Sequence, residues 1–441
     1  MDIDTMSYLE RLCSHKVSHS QVYIVGAVLR MALFALPEIV MTLQRRPELS
    51  TPLTSFRSIQ EGVFIYQHGT SPYSGGTFYH SPIYLNLFSH VIPISSTYST
   101  ATFWTLADLW GAWSLVKISQ ARNQKGYTRD ALIAAVYLLN PYSLLTCIAR
   151  STTTLDNAVL LGALSAAATG KTTFSLILLA VAVHTSFYPI ILLPPIVILL
   201  GKTNTKHSKK SLVLQSLSFF AASTMAIGVF NFVIMGNSWI WKSLGTSLEV
   251  TNLTPNVGMW WYFFTEMFDH FRTFFLGVFQ LHTVIYIAPI CIRMVDRPLD
   301  AILLLLAIFV TWKSFPALGD MGLCAGLIGC FPDILANLRH PLFSLTVHLY
   351  TSILLPLLHS LWLLTGTGNA NFFYAATMVY GLNASLVIVD MLGASMRVEV
   401  KERATLEGAD DQSEKQDKKE CTDDVSENWE ARKWYAVQFT K

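Results

Sequence analysis

The chain has 441 residues, 52% of them hydrophobic and 14% charged, with a formal net charge of +2 and a mean hydropathy of +0.42. Soluble domains carry about 25% charged residues, so this composition excludes a soluble domain and describes a polytopic membrane protein. The near-neutral balance gives no global attraction to nucleic acid, and no nucleic-acid-binding signature accompanies it.

In chain order, residues 1–20 are polar, with neither an apolar core nor a small-residue cleavage site. They read as a short cytosolic segment rather than a signal peptide. The first apolar run, 21–43, is long enough to span and serves as an uncleaved anchor. A span needs about 20 apolar residues, fewer inside a bundle. By that rule the chain is predicted to be all-α with about 12 transmembrane helices. The further spans fall at 101–119, 131–148, 153–169, 172–186, 187–200, 212–236, 259–292, 300–316, 318–331, 341–364 and 372–396. His90, Pro93 and a serine-rich end make 83–98 a re-entrant or interfacial helix.

Lysines and arginines concentrate in three short loops: Arg122, Lys125 and Arg129; Lys202, Lys206, Lys209 and Lys210; Arg293 and Arg297. The positive-inside rule places these loops in the cytosol. Loop 44–82, with 149–153, 237–258 and 365–371, then lies on the luminal side, although Arg45 and Arg46 run against the trend. A multi-pass domain thus covers 21–397. Residues 398–441 are dense in charge and poor in apolar residues, and are expected to be a disordered cytosolic tail. Both termini are expected in the cytosol.

The six cysteines, Cys13, Cys147, Cys291, Cys324, Cys330 and Cys421, show no metal or redox spacing. They read as free thiols, and neither a metal nor a cofactor is expected. Charges within spans mark function or a buried pair. Glu266, Asp269 and His270 follow an aromatic run and would share one face of a continuous helix at i, i+3 and i+4. They form either a luminal polar cluster facing a headgroup or partner, or carboxylates hydrogen-bonded to neighbouring helices. Asn140-Pro141 precedes Arg150 and Asp156 at a short turn, a structural kink or a polar site. Asp320 is expected to cap the helix after the turn 315–320.

A second candidate site is Asn369, Asn371, Phe372 and Phe373, after two glycines at 366 and 368. Glycine permits close backbone approach, neutral amides suit sugar hydroxyls, and aromatic faces suit sugar or lipid. The competing reading is a simple interhelical turn, with Asn371 capping the last span.

The stretch QEGVFIYQHGTSPYSGGTFYHSP at 60–82 resembles the first loop of membrane glycosyltransferases that use polyprenyl-phosphate sugars (the GT-C-like scaffold). The carboxylate pair of those enzymes is replaced here by Thr51-Pro52-Leu53-Thr54-Ser55-Phe56, and the nearest acids, Glu48 and Glu61, are unpaired. More of the chain resembles the PIG-U family, the U-class subunit of the glycosylphosphatidylinositol (GPI) transamidase complex. The likeness covers most of 22–397. It rests on SPYSG and TFYHSP (71–82), LLNPYSLLTCIARST (138–152), TPNVGMWWYFFTEMFDHF (254–271), FQLH (279–282), KSFPALGD (313–320) and NANFFYA (369–375).

The resemblance implies a non-catalytic subunit in the endoplasmic reticulum (ER) membrane. Such a subunit helps to bind and present the GPI lipid for attachment to the new C-terminus of precursor proteins. It implies partners that include a cysteine-protease-like catalytic subunit carrying the nucleophile. An active GPI mannosyltransferase is the alternative, disfavoured because sugar transfer needs the missing carboxylates. A transporter lacks visible repeat symmetry.

Overall fold

The computed structural model describes residues 18–122, 127–203 and 209–421; side chains are described through residue 405, except those of 127, 128 and 209. The cytosolic assignments of 1–17 and 422–441, with Cys13, Lys125 and Lys206, lie outside the described residues. So does the side chain of Cys421. Among the described residues the secondary structure is helical, without a strand.

The first half contains α1 (His19–Phe34), α2 (Pro37–Gln44), α3 (Phe56–Gln67), α4 (Thr97–Ala121), α5 (Tyr127–Leu138), α6 (Pro141–Ile148), α7 (Thr153–Ala168), α8 (Thr172–Thr185) and α9 (Leu193–Thr203). The second half contains α10 (Lys209–Met235), α11 (Trp260–Glu266), α12 (Asp269–Val284), α13 (Ile287–Arg293), α14 (Pro298–Trp312), α15 (Leu318–Ile328), α16 (Pro341–Leu363) and α17 (Ala370–Cys421). Pro37, Pro141, Pro298 and Pro341 each stand at the first helical position. There the missing N–H has no intrahelical partner to lose and the fixed φ suits the helix.

Four described helices are long and apolar enough to cross a membrane: Lys210–Met235, Asp269–Arg293, Pro341–Leu363 and Ala370–Thr405. Two bent pairs raise this to six if each is one span: α1 with α2 at 89°, and Arg129–Leu138 with α6 at 50°. The expected span 21–43 is therefore broken at Ala35–Leu36, ahead of Pro37. The expected span 259–292 is broken at Met267–Phe268, where both residues are extended (ψ 140 and 138). The expected span 372–396 lies inside α17, which continues through the charged segment to Cys421. An Arg403–Glu399 pair at i,i+4 spacing supports this extension. The 83–98 stretch contains two short helical pieces, Pro82–Asn86 and Leu87–Val91.

Helix α14 is apolar on every side, and thirteen of its fifteen residues are buried. This is the pattern of a central helix rather than a surface one. Buried charges tie the other helices together. Arg30 on α1 pairs with Asp108 on α4 at 2.8 Å, with both side chains at most 1% exposed. Arg30 Nη1 also donates to Leu138 O at 2.9 Å, and the Tyr137 hydroxyl donates to Asp108 at 3.3 Å. At the other end of the bundle, Arg122 bridges to Asp333 (2.9 Å) and Arg297 to Asp300 (3.2 Å). Ser395 on α17 donates to Asp300 at 2.6 Å. A charge within a bundle persists where it is paired and hydrogen-bonded in this way.

Candidate functional site: the α11–α17 junction and the Thr54 cavity

Helix α16 ends in a turn that returns on itself. The N–H groups of Thr367 and Gly368 both donate to Leu361 O at 2.9 Å. Gly366 has φ +67, and a Cβ on Gly368 would stand 3.1 Å from Trp362 N. The two glycines thus let the chain reverse at a point where side chains would strain it. Asn369 Oδ1 accepts from Phe372 N at 3.1 Å and starts α17; this is an N-cap contact. The capping role that the sequence suggested for Asn371 therefore belongs to Asn369.

Asn371 is exposed, and its Oδ1 accepts a hydrogen bond from the Tyr262 hydroxyl on α11. Tyr262 stacks on Tyr374 with ring centroids 4.5 Å apart, and the Tyr374 hydroxyl donates to Met259 O at 3.2 Å. Phe373 is fully buried, with Trp261, His359 and Trp362 around it at 5.9, 5.3 and 6.3 Å. Phe372 is 59% exposed. Two stretches that the sequence presented as separate sites are therefore one junction. At its surface it offers two amides, a phenol and an apolar ring.

Glu266, Asp269 and His270 do not share a helical face. The break at Met267–Phe268 ends α11 at Glu266 and begins α12 at Asp269, so helical spacing does not carry across it. An acid in the first turn of α12 suits the positive end of the helix dipole. All three side chains are exposed, and the His270 ring packs at a tilt against Phe271, with centroids 4.0 Å apart. Among the described residues none of the three has a hydrogen bond or ion pair. Carboxylates hydrogen-bonded to neighbouring helices, one sequence alternative, are not seen among the described residues.

A second polar site was not anticipated as a unit. A cavity of about 50 Å³ is lined by Thr54, Asp156, Asn157, Lys313 and Asp320, among others. Lys313 Nζ meets Asp320 Oδ1 at 2.7 Å, and Asp320 Oδ2 accepts from Ala317 N at 2.8 Å; the N-cap is Ala317, and Asp320 is not that cap but the third helical residue reaching back to it. The Tyr84 hydroxyl donates to Asp156 at 2.6 Å, and Asn157 Nδ2 donates to Gly319 O at 2.9 Å. Each acid is visible in the sequence at a helix start. Their convergence is not, because they come from distant segments.

The segment from Thr51 to Thr54 beside this cavity is held by hydroxyl and backbone hydrogen bonds. Thr51 N donates to Thr54 Oγ1 at 3.0 Å, and Thr54 O accepts from Thr152 N at 2.9 Å. Glu48 is buried, and burial raises its carboxyl above the usual range; its backbone oxygen accepts from Leu318 N at 2.8 Å. Arg46, the anomaly of the charge pattern, is engaged with α16 through Ser360 Oγ at 2.7 Å. Arg150 has φ +53 and lies over the rings of Phe34 and Phe56, each at 5.5 Å. Cys147, Cys291 and Cys330 are buried free thiols, and Cys324 is half-buried.

The sequence profile described as GPI transamidase subunit PIG-U matches residues 24–380. The chain belongs to the PIG-U family. It is 32% identical over 380 residues to the GPI transamidase component GAB1 of Saccharomyces cerevisiae, covering 84% of this chain and 93% of that protein. It is 30% identical over 413 residues to the GPI-anchor transamidase component PIGU of Homo sapiens, covering 86% and 93%. The GPI transamidase component GAB1 homolog of Schizosaccharomyces pombe is 31% identical over 364 residues, covering 81% and 88%. The PIG-U match takes in the α11–α17 junction, the Thr54 cavity and the 60–82 loop. The charged extension of α17 beyond residue 380 lies outside it.

Proposed function

We propose that, within the GPI transamidase, this chain is a non-catalytic subunit that binds and presents the GPI lipid in the ER membrane. The observation that carries the reading is the exposed Asn371–Tyr262 junction beside Phe372. Asn369, Asn371 and Tyr262 meet glycan hydroxyls, Phe372 meets the acyl-chain boundary, and buried Phe373 anchors the turn. Glu266, Asp269 and His270 stand nearby in sequence as an exposed contact for a partner subunit or headgroup.

Cysteine catalysis needs a thiolate beside a histidine in a polar, partly open site. The buried thiols here suit packing, so the nucleophilic cysteine is assigned to a protease-like partner subunit. The scaffold is read as GT-C-like with about 12 crossings, counting the shorter apolar helices as spans. Hydroxyls at Thr51 and Thr54 take the place of its acids. Both termini and the lysine-rich loop face the cytosol, and the 364–371 turn faces the lumen.

The test is mass spectrometry of the complex purified in mild detergent. GPI lipid is expected to co-purify with the wild-type complex and to be lost from an Asn371→Lys complex that still assembles. Equal GPI in both would remove the junction as the lipid site. Orientation is tested separately with thiol labelling of sealed microsomes. Thr203→Cys should react with an impermeant reagent, and Thr367→Cys only once the membrane is opened.

A further inference from the structure

A groove of about 410 Å³ runs between α12–α13, α14 and α17, away from both sites above. His282, Trp312 and Ser385 stand at one end, and Arg293, Met294 and Met396 at the other. Its walls are apolar, with Ile308 on α14 and Leu392 on α17. From His282 to Arg293, and from Ser385 to Met396, each helix advances eleven residues, about 16 Å at 1.5 Å per residue. That is about half of the 30 Å hydrocarbon core of a bilayer. The groove is therefore as long as one leaflet is deep.

Two walls belong to helices that are long and apolar enough to span, Asp269–Arg293 and Ala370–Thr405. Arg293 is the last residue of the first of these and stands where a span reaches the headgroups. Its side chain is 47% exposed and meets Glu399 through Nη1, at 2.9 Å from Oε2 and 3.2 Å from Oε1. A guanidinium has five N–H donors, so donors remain for an anion at the mouth. The opposite end is closed by aromatic rings, with His282 and Trp312 edge to face at 4.2 Å.

We propose that this groove holds one acyl chain of a resident glycerophospholipid, with its phosphodiester against Arg293. Length, apolar walls and a cation at the headgroup end all match that chemistry. The lipid belongs to the leaflet at the Arg293 end. The lipid fills the seam between α13, α14 and α17, and it is independent of where the GPI lipid docks.

The test uses the intact complex with p-benzoyl-phenylalanine in place of Leu392, irradiated after exchange into lipid-free detergent. The expected product is this chain carrying the mass of one glycerophospholipid. A control with the same group in place of the exposed Val278 should lose its lipid adducts on exchange. In a second arm, Arg293→Glu should reduce the retained phospholipid several-fold, and Ile388→Trp, which fills the groove, should abolish it in assembled complex. An adduct with another polypeptide, an adduct with GPI, or unchanged phospholipid in both variants would overturn the proposal.

Discussion

The hydroxyl of Tyr262 donates to the amide oxygen of Asn371, joining α11 to the first turn of α17. Tyr262 is held in turn by its stack on Tyr374. The amide that faces outward is therefore oriented by the aromatic segment rather than free to rotate. A change on either partner should disturb the same surface.

Asn371→Lys introduces a long cation where a compact neutral amide accepts from a phenol. GPI attachment to precursor proteins should fall while the complex is still recovered, and free GPI should accumulate. Tyr262→Phe removes one hydrogen bond, worth about 0.5–1.5 kcal/mol, and should give a milder loss in the same direction. Attachment assays in membranes, read beside complex recovery, check both. Reduced recovery in proportion to reduced attachment would make the junction purely structural.

Lys313 and Asp320 are a buried pair, 10% and 5% exposed at their side chains. Removing one partner leaves a buried charge uncompensated, at about 3–5 kcal/mol. Asp320→Ala also removes the acceptor for Ala317 N. Thermal unfolding of the purified complex should show a clear drop in Tm for Asp320→Ala, and a smaller one for the double variant Lys313→Met with Asp320→Leu. Equal losses would mean that the charge imbalance contributes nothing.

Glu266 and Asp269 are exposed and carry no ion pair among the described residues, so their loss should leave the fold intact. Glu266→Arg with Asp269→Arg reverses the local charge, and recovery of the assembled complex is expected to fall. The level of this chain in the membrane should stay constant. Unchanged assembly would reduce the two acids to a solvated loop end.

Replacing all six cysteines by Ser or Ala should leave GPI attachment largely intact. The four described side chains are buried or half-buried, a setting that suits packing rather than nucleophilic attack. Abolished attachment in a fully assembled complex would refute the assignment of the nucleophile to another subunit.

His80, in the loop before Pro82, is buried, and burial pulls its pKa down to about 4. Its Nε2 lies 3.0 Å from Ser55 O, to which it donates. The unfolded chain takes up a proton below about 6.5, whereas the folded chain resists until about 4. This neutral site is thus favourable above the unfolded value, and stability is lost as pH falls from 6.5 toward 4, by up to about 3 kcal/mol. The Tm of the purified complex should fall less steeply between pH 7 and 5 in His80→Gln than in the wild type. Parallel curves would show that His80 is protonated without strain.

Composition and periodicity were enough to read an all-helical membrane protein, and six short motifs in order were enough to read its family. Asp320 was legible as a group that serves the start of α15, but it lies in the first turn and Ala317 is the N-cap, because the helix begins two residues earlier. The continuous face for Glu266, Asp269 and His270 was misread. Nothing in an aromatic run announces that Met267 and Phe268 adopt extended backbone, and one such break cancels helical spacing. Span number was equally hard to read, because length and hydropathy describe a segment and not whether it bends. The 89° turn between α1 and α2 is visible only once both have packed.

By itself the sequence determined what acts locally: which segments cannot dissolve in water, where prolines begin helices, and where glycines allow a reversal. Tertiary structure alone decided what acts at a distance. It brought Tyr262 to Asn371, Lys313 and Asp156 to one cavity, Arg30 to Asp108, and α13 and α17 to one groove. Each of these depends on a buried or interhelical contact between segments far apart in the chain. Their partners are selected by packing and desolvation, and no spacing along the sequence encodes them.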